Sequence, residues 1–91
     1  MPDTPSQIVI VDDEVAIQSL IKRYFQRHGA QVHCAGSGDE LHQILQLHEI
    51  DIVFLDVNLP GKDGFTLLDE IKRDYEAGVI MLTAHNELND R

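Results

Sequence analysis

The chain switches repeatedly between two hydrophobic periods. Gln7 to Val11 (QIVIV) is a short β-branched run, as expected of a strand buried on both faces of a parallel sheet. The period then lengthens. Ile17, Leu20, Ile21 and Tyr24 fall at i, i+3, i+4 and i+7, with Lys22, Arg23 and Arg27 elsewhere. This predicts an amphipathic helix closed by Gly29 after basic residues in its last turn. Gln31 to Ala35 reads as a second strand. Ser37 followed by Glu40 fits a capping box, and Leu41, Ile44, Leu45 and His48 give a second helical stripe. Ile50 to Val57 is the most apolar strand candidate. The segment NLPGKDG is dense in turn residues and reads as a loop. Phe65, Leu68 and Ile71 predict one face of a third helix that ends near Lys72 and Arg73. Gly78 then precedes VIMLT, a fourth strand.

The predicted order is β-α-β-α-β-α-β. Such alternation implies an α/β domain with a parallel sheet and right-handed crossovers. Residues 1–6 read as a loose tail and residues 7–91 as one partial domain. No repeat, low-complexity tract or linker divides the 91 residues.

Charge narrows the function. Seven basic residues against sixteen acidic ones give a net charge of −9. Nothing offers a basic stripe for phosphate backbones, so this chain is not expected to contact nucleic acid itself. The single cysteine, Cys34, excludes a disulfide framework and reads as a buried, inert thiol. The N-terminus lacks the basic start and apolar run of a signal peptide, and no stretch reaches membrane-spanning length. A cytoplasmic setting without membrane contact is expected.

Several polar residues occupy special positions. Asp12 and Asp13 follow the first strand, Asp56 closes the third, and Thr83 closes the fourth. In a doubly wound sheet the carboxyl ends of the strands share one edge, and ligands bind where the strand order reverses. If strands one and three are neighbours, Asp12, Asp13 and Asp56 converge. Three close carboxylates repel one another unless a cation lies between them, and oxygen ligands of this type suit Mg2+ or Mn2+. Taken singly, each residue has a plainer explanation: a helix N-cap for Asp12 or Asp13, a turn initiator for Asp56, strand propensity for Thr83. Those explanations do not account for acids closing two central strands at once. An EF-hand fails because Pro60 and Leu67 stand at the fifth and twelfth positions of the loop that would begin at Asp56. The five histidines show no tight ligand spacing; His42 and His48 are six apart on one predicted helix, and His85 reads as a solvated loop residue.

The segments IVIVDDE, DIVFLDVNLPGKDGF and VIMLTA, in this order, resemble the receiver domain of two-component response regulators. The resemblance covers Gln7 to Arg91 and implies a flavodoxin-like, doubly wound parallel sheet. Its strand order would be 2-1-3-4, with the family's fifth strand not reached by these residues. It further implies that Asp56 is a phosphoacceptor, that Asp13 and Asp56 bind Mg2+ directly and that Asp12 helps through water. The backbone carbonyl of Asn58 would complete the protein ligands. Thr83 would hydrogen-bond the phosphoryl group, Ala84 would leave room for it, and Pro60-Gly61 would shape the adjacent loop. The implied donor is the phosphohistidine of a sensor histidine kinase. A DNA-binding transcriptional regulator is the implied parent.

One departure matters. The family carries a lysine and an aromatic switch residue on its fifth strand, and the sequence reaches only Arg91. Lys62 and Lys72 fall in the wrong places to substitute. A truncated receiver is therefore expected, with the fourth strand as an open edge, marginal stability as a monomer, and completion by a homodimer or a domain-swapped dimer. The alternative from the enzyme class is a Mg2+-dependent phosphohydrolase with an aspartyl nucleophile. Such enzymes place a second acid two residues after the nucleophile, where this chain has Asn58. A receiver fragment that no longer signals is the third reading.

Overall fold

A computed structural model describes residues 5–57 and 64–82. In chain order the elements are β1 (Gln7–Val11), α1 (Val15–Arg27), β2 (Gln31–Ala35), α2 (Gly38–Leu47), β3 (Ile52–Asp56), α3 (Gly64–Asp74) and β4 (Gly78–Leu82). The strands form one parallel sheet in the order β2-β1-β3-β4. The chain thus runs outward from β1 to β2, then crosses back to β3 on the other side of β1. This is the flavodoxin-like arrangement expected from the sequence, and the reversal point lies between β1 and β3.

Central position explains composition. Val9, Ile10, Val11, Val53 and Leu55 are all fully buried. Val9, Val11, Val53 and Leu55 pack in one cluster with Leu41 and Leu45 of α2 and Leu67 and Ile71 of α3. Each such side chain contributes roughly 1.5–3 kcal/mol relative to exposure. The alternate residues, Ile10 and Phe54, are register partners and so share the opposite face. There Phe25 of α1 stacks on Phe54 with ring centroids 5.2 Å apart.

The helix ends follow local chemistry. Gly29 takes φ 89°, a left-handed conformation that glycine adopts without a Cβ clash. It closes α1 by donating its N–H to the Gln26 carbonyl at 3.0 Å while Ala30 N–H reaches Phe25 O at 3.1 Å. At α2, Ser37 Oγ accepts from Glu40 N–H at 3.2 Å, and Glu40 Oε1 accepts from Gly36 N–H at 2.7 Å. The capping box therefore forms, but its return arm reaches one residue further out than the usual pattern.

Some expectations shift. In α1 the predicted stripe is rotated: Ile17, Ile21 and Phe25 are half-buried, whereas Leu20 and Tyr24 are 66% and 58% exposed. In α3 the buried positions are Gly64, Leu67 and Ile71, with Leu68 partly covered, and Phe65 faces solvent. His48 is exposed at the C-cap of α2 rather than part of its inner stripe. Cys34 is half-buried, and burial raises its thiol pKa above the ordinary value, which keeps it protonated and inert. β3 is shorter than the apolar run, and β4 begins one residue earlier than expected, at Gly78.

Candidate divalent-cation site at the carboxyl edge of the sheet

Register brings the acids together. Val11 pairs with Leu55 across β1 and β3, so the next residues on the two strands are Asp12 and Asp56. One carboxylate oxygen from each of Asp12, Asp13 and Asp56 lies within 4.8 Å of the others. Among the described residues no other group of three acidic, histidine or cysteine side chains comes so close. Asp12 is buried, Asp56 half-buried and Asp13 exposed, so the cluster opens from the sheet toward solvent.

Asp12 is the most constrained of the three. Its N–H donates to Ala35 O at 3.0 Å, continuing the β1–β2 ladder by one residue. Its Oδ1 accepts from Glu14 N–H at 2.9 Å, an Asx-type turn that directs the chain into α1. Its carbonyl accepts from Gln18 Nε2 at 2.5 Å. Glu14 is the N-cap of α1 and makes no side-chain cap, so neither Asp12 nor Asp13 serves as the capping residue.

Burial raises the Asp12 carboxyl pKa above its ordinary 3.8; the Glu14 N–H opposes this, and the charges of Asp56, Asp13 and Glu14 add to the rise. The structure thus holds an acid in a place that disfavours its charge, beside two more acids. That arrangement costs free energy until positive charge arrives.

Asp56 is approached from below by α3. A Cβ built on Gly64 would lie 2.7 Å from Val57 Cα and 3.1 Å from Asp56 O. Only glycine lets the first residue of α3 pack so tightly under the end of β3. The sequence pattern did not reveal this, because glycine carries no apolar signal.

Asn58 and Thr83, with Pro60, Gly61, Lys62, Ala84 and His85, lie outside the described residues. The donor set that is described fits a hard, oxygen-seeking dication: carboxylates only, three converging charges, one of them desolvated. Asp12, Asp13 and Asp56 would hold it.

Comparisons with known proteins identify the family and the fold. A family model for the response regulator receiver domain matches residues 8–91. The receiver domain of the TMAO respiratory system response regulator TorR is 34% identical, with TM-score 0.84, over 96% of this chain and 72% of that one. The BeF3-activated N-terminal receiver domain of Klebsiella pneumoniae RstA is 32% identical, with TM-score 0.80, over 86% and 67%. NtrX from Brucella abortus, in complex with ADP, is 32% identical with TM-score 0.86; the match covers 94% of this chain and 20% of that one. The chain belongs to the response regulator receiver family, whose members take part in two-component signalling with histidine kinases. No described helix is long and apolar enough to cross a membrane.

Proposed function

We propose that Asp56 accepts a phosphoryl group from the phosphohistidine of a sensor histidine kinase, with Mg2+ held by Asp12, Asp13, Asp56 and the Asn58 carbonyl. The observation that carries this reading is the convergence of the three carboxylates at the switch point of the sheet.

An Asp56 oxygen would form the new O–P bond as the donor's P–N bond breaks, with the electron pair leaving on the imidazole. The product is an acyl phosphate on Asp56. Bound Mg2+ supplies charge neutralisation and alignment of the phosphoryl oxygens. The fixed Asp12 turn supplies a preformed wall, and Gly64 fixes the backbone beneath Asp56. The Thr83 hydroxyl would donate to a phosphoryl oxygen once transfer is complete. The chain would catalyse only its own phosphorylation, which leaves the donor dephosphorylated, and its own dephosphorylation, in which water releases phosphate from Asp56, so it acts as a switch rather than a turnover enzyme on external substrates. The added charge then biases a two-state element nearby. In a parent protein the output would be a DNA-binding transcriptional regulator.

Incubation with acetyl phosphate tests this. Labelling should require Mg2+ and disappear in Asp56→Asn. Equal labelling of Asp56→Asn would remove the acceptor assignment. Sustained phosphate release from small phosphomonoesters would favour the phosphohydrolase instead.

A further inference from the structure

We infer that Gln18, at the end of the first turn of α1, is a positioning residue for the cation site, acting through the backbone between the two N-terminal acids. The inference rests on the proposed cation reading of Asp12, Asp13 and Asp56 and names a residue outside that set.

Gln18 Nε2 donates to the carbonyl of Asp12 at 2.5 Å and reaches the carbonyl of Ala35 at 3.4 Å. Both partners are acceptors. A side-chain amide nitrogen carries two hydrogens, so one nitrogen serves both, and the reversed amide would set its oxygen against two carbonyl oxygens. One side chain thus ties α1 to the ends of β1 and β2 together.

The bond to Asp12 has a particular consequence. The Asp12 carbonyl belongs to the peptide plane that joins Asp12 to Asp13. Asp12 is already anchored through its N–H to Ala35 O and through Oδ1 to Glu14 N–H. Those ties fix Asp12 on either side of that plane but leave the plane itself free to tilt. The Gln18 bond sets it, and with it the direction in which Asp13 leaves the strand. Asp13 is exposed, so no packing holds its carboxylate near those of Asp12 and Asp56. The N-cap of α1 adds no help, since the Glu14 side chain makes no cap bond. The convergence of the three carboxylates therefore depends on a polar contact from outside the trio. Groups that orient metal ligands in this way typically alter affinity by about tenfold or more when removed.

The test measures Mg2+ binding to the whole chain by calorimetry, with metal-free melting and amide NMR alongside. Gln18→Met keeps the length of the side chain and removes both hydrogens. Gln18→Asn keeps the hydrogens but is one methylene too short to reach. Both variants should bind Mg2+ about five- to tenfold more weakly than the wild type. Their metal-free amide shifts should move at Asp13 and Glu14 more than in β3, with melting little changed. Mg2+ affinity within twofold of wild type in either folded variant would overturn the inference. So would a lowered melt with unchanged affinity, which would make Gln18 a staple for the helix only. Failure of the wild type to bind Mg2+ at all would remove the cation reading and this inference together, whereas wild-type binding with unaffected Gln18 variants would remove this inference alone.

Discussion

Asp12 and Asp56 close adjacent strands and bring carboxylate oxygens within 4.8 Å, although Asp12 is only 7% exposed. Two acids held so close, one desolvated, weaken the metal-free fold. Asp12→Asn keeps the Oδ1 acceptor that Glu14 N–H uses and removes one charge. It should raise stability without metal by about 1 kcal/mol, roughly 4–8 °C in Tm for a domain of this size. The same substitution should abolish stabilisation by Mg2+. Thermal melts with and without Mg2+ check both; a lower metal-free Tm would contradict the repulsion argument.

If the cluster holds a cation as proposed, metal and proton would compete for it. Because the folded pKa of Asp12 is raised from 3.8, its contribution favours the fold below that value and is lost as pH rises through the folded pKa. On the proposed cation reading Mg2+ would reverse the balance, since it would bind only the ionised cluster. The Mg2+-induced rise in Tm should therefore shrink steadily as pH falls from 7 into the carboxylate range. At a hundredfold excess over Kd the stabilisation should reach about 2.7 kcal/mol. A Mg2+ effect that does not change with pH would place the ion elsewhere.

Gly64 links packing to chemistry. Gly64→Ala puts a methyl 2.7 Å from Val57 Cα, which backbone cannot yield cheaply. The end of β3 must shift, so Asp56 moves with it. The expected result is a loss of about 1–3 kcal/mol of stability and a larger proportional loss of phosphoryl labelling. By contrast, Gly38→Ala meets the side chain of Leu67, its Cδ2 at 3.1 Å and Cδ1 at 3.4 Å, and should leave labelling intact. Equal labelling in Gly64→Ala and wild type would show that the contact does not position Asp56.

A second pH effect lies far from the acids. His33 on β2 stacks on His48 with centroids 4.3 Å apart, and its Nε2 donates to Gln7 Oε1. Burial, then the charges of His48 and Lys22, lower its pKa from 6.5. Stability from this site is therefore complete above pH 6.5 and declines as pH falls through the lowered folded value. The urea midpoint should drop as pH falls below 6.5, ahead of the carboxylate range, and His33→Phe should flatten that slope. An unchanged slope in His33→Phe would assign the effect to another group.

Much of this was legible in the sequence because burial of a parallel sheet forces continuous apolar runs at β1 and β3 and a helical period between them. Asp12, Asp13 and Asp56 could be grouped because strand ends share an edge. What pattern could not give was helix rotation. Counting apolar residues placed Ile17 and Ile21 inward, as they are, but added Leu20, Tyr24 and Phe65, where the structure turns Phe25, Gly64 and Leu67 inward instead. Gly64 is inward because it is small, and apolar counting passes over it. Gln18, the His33–His48 stack and the His42–Glu70 pair at 2.9 Å join residues distant in sequence, with no local signal. The only hint for Gln18 was a neutral polar side chain early in a helix that follows two acids.

On the proposed reading, a carboxylate oxygen of Asp56 receives the phosphoryl group in a pocket shared with Asp12 and Asp13. Borohydride reduction of chain treated with a small phosphodonor converts an aspartyl phosphate to homoserine, which peptide mass spectrometry locates. The expected result is homoserine at position 56, formed only with Mg2+ and reduced at least tenfold in Asp13→Asn. Homoserine at another aspartate, or at position 56 without any divalent cation, would contradict it.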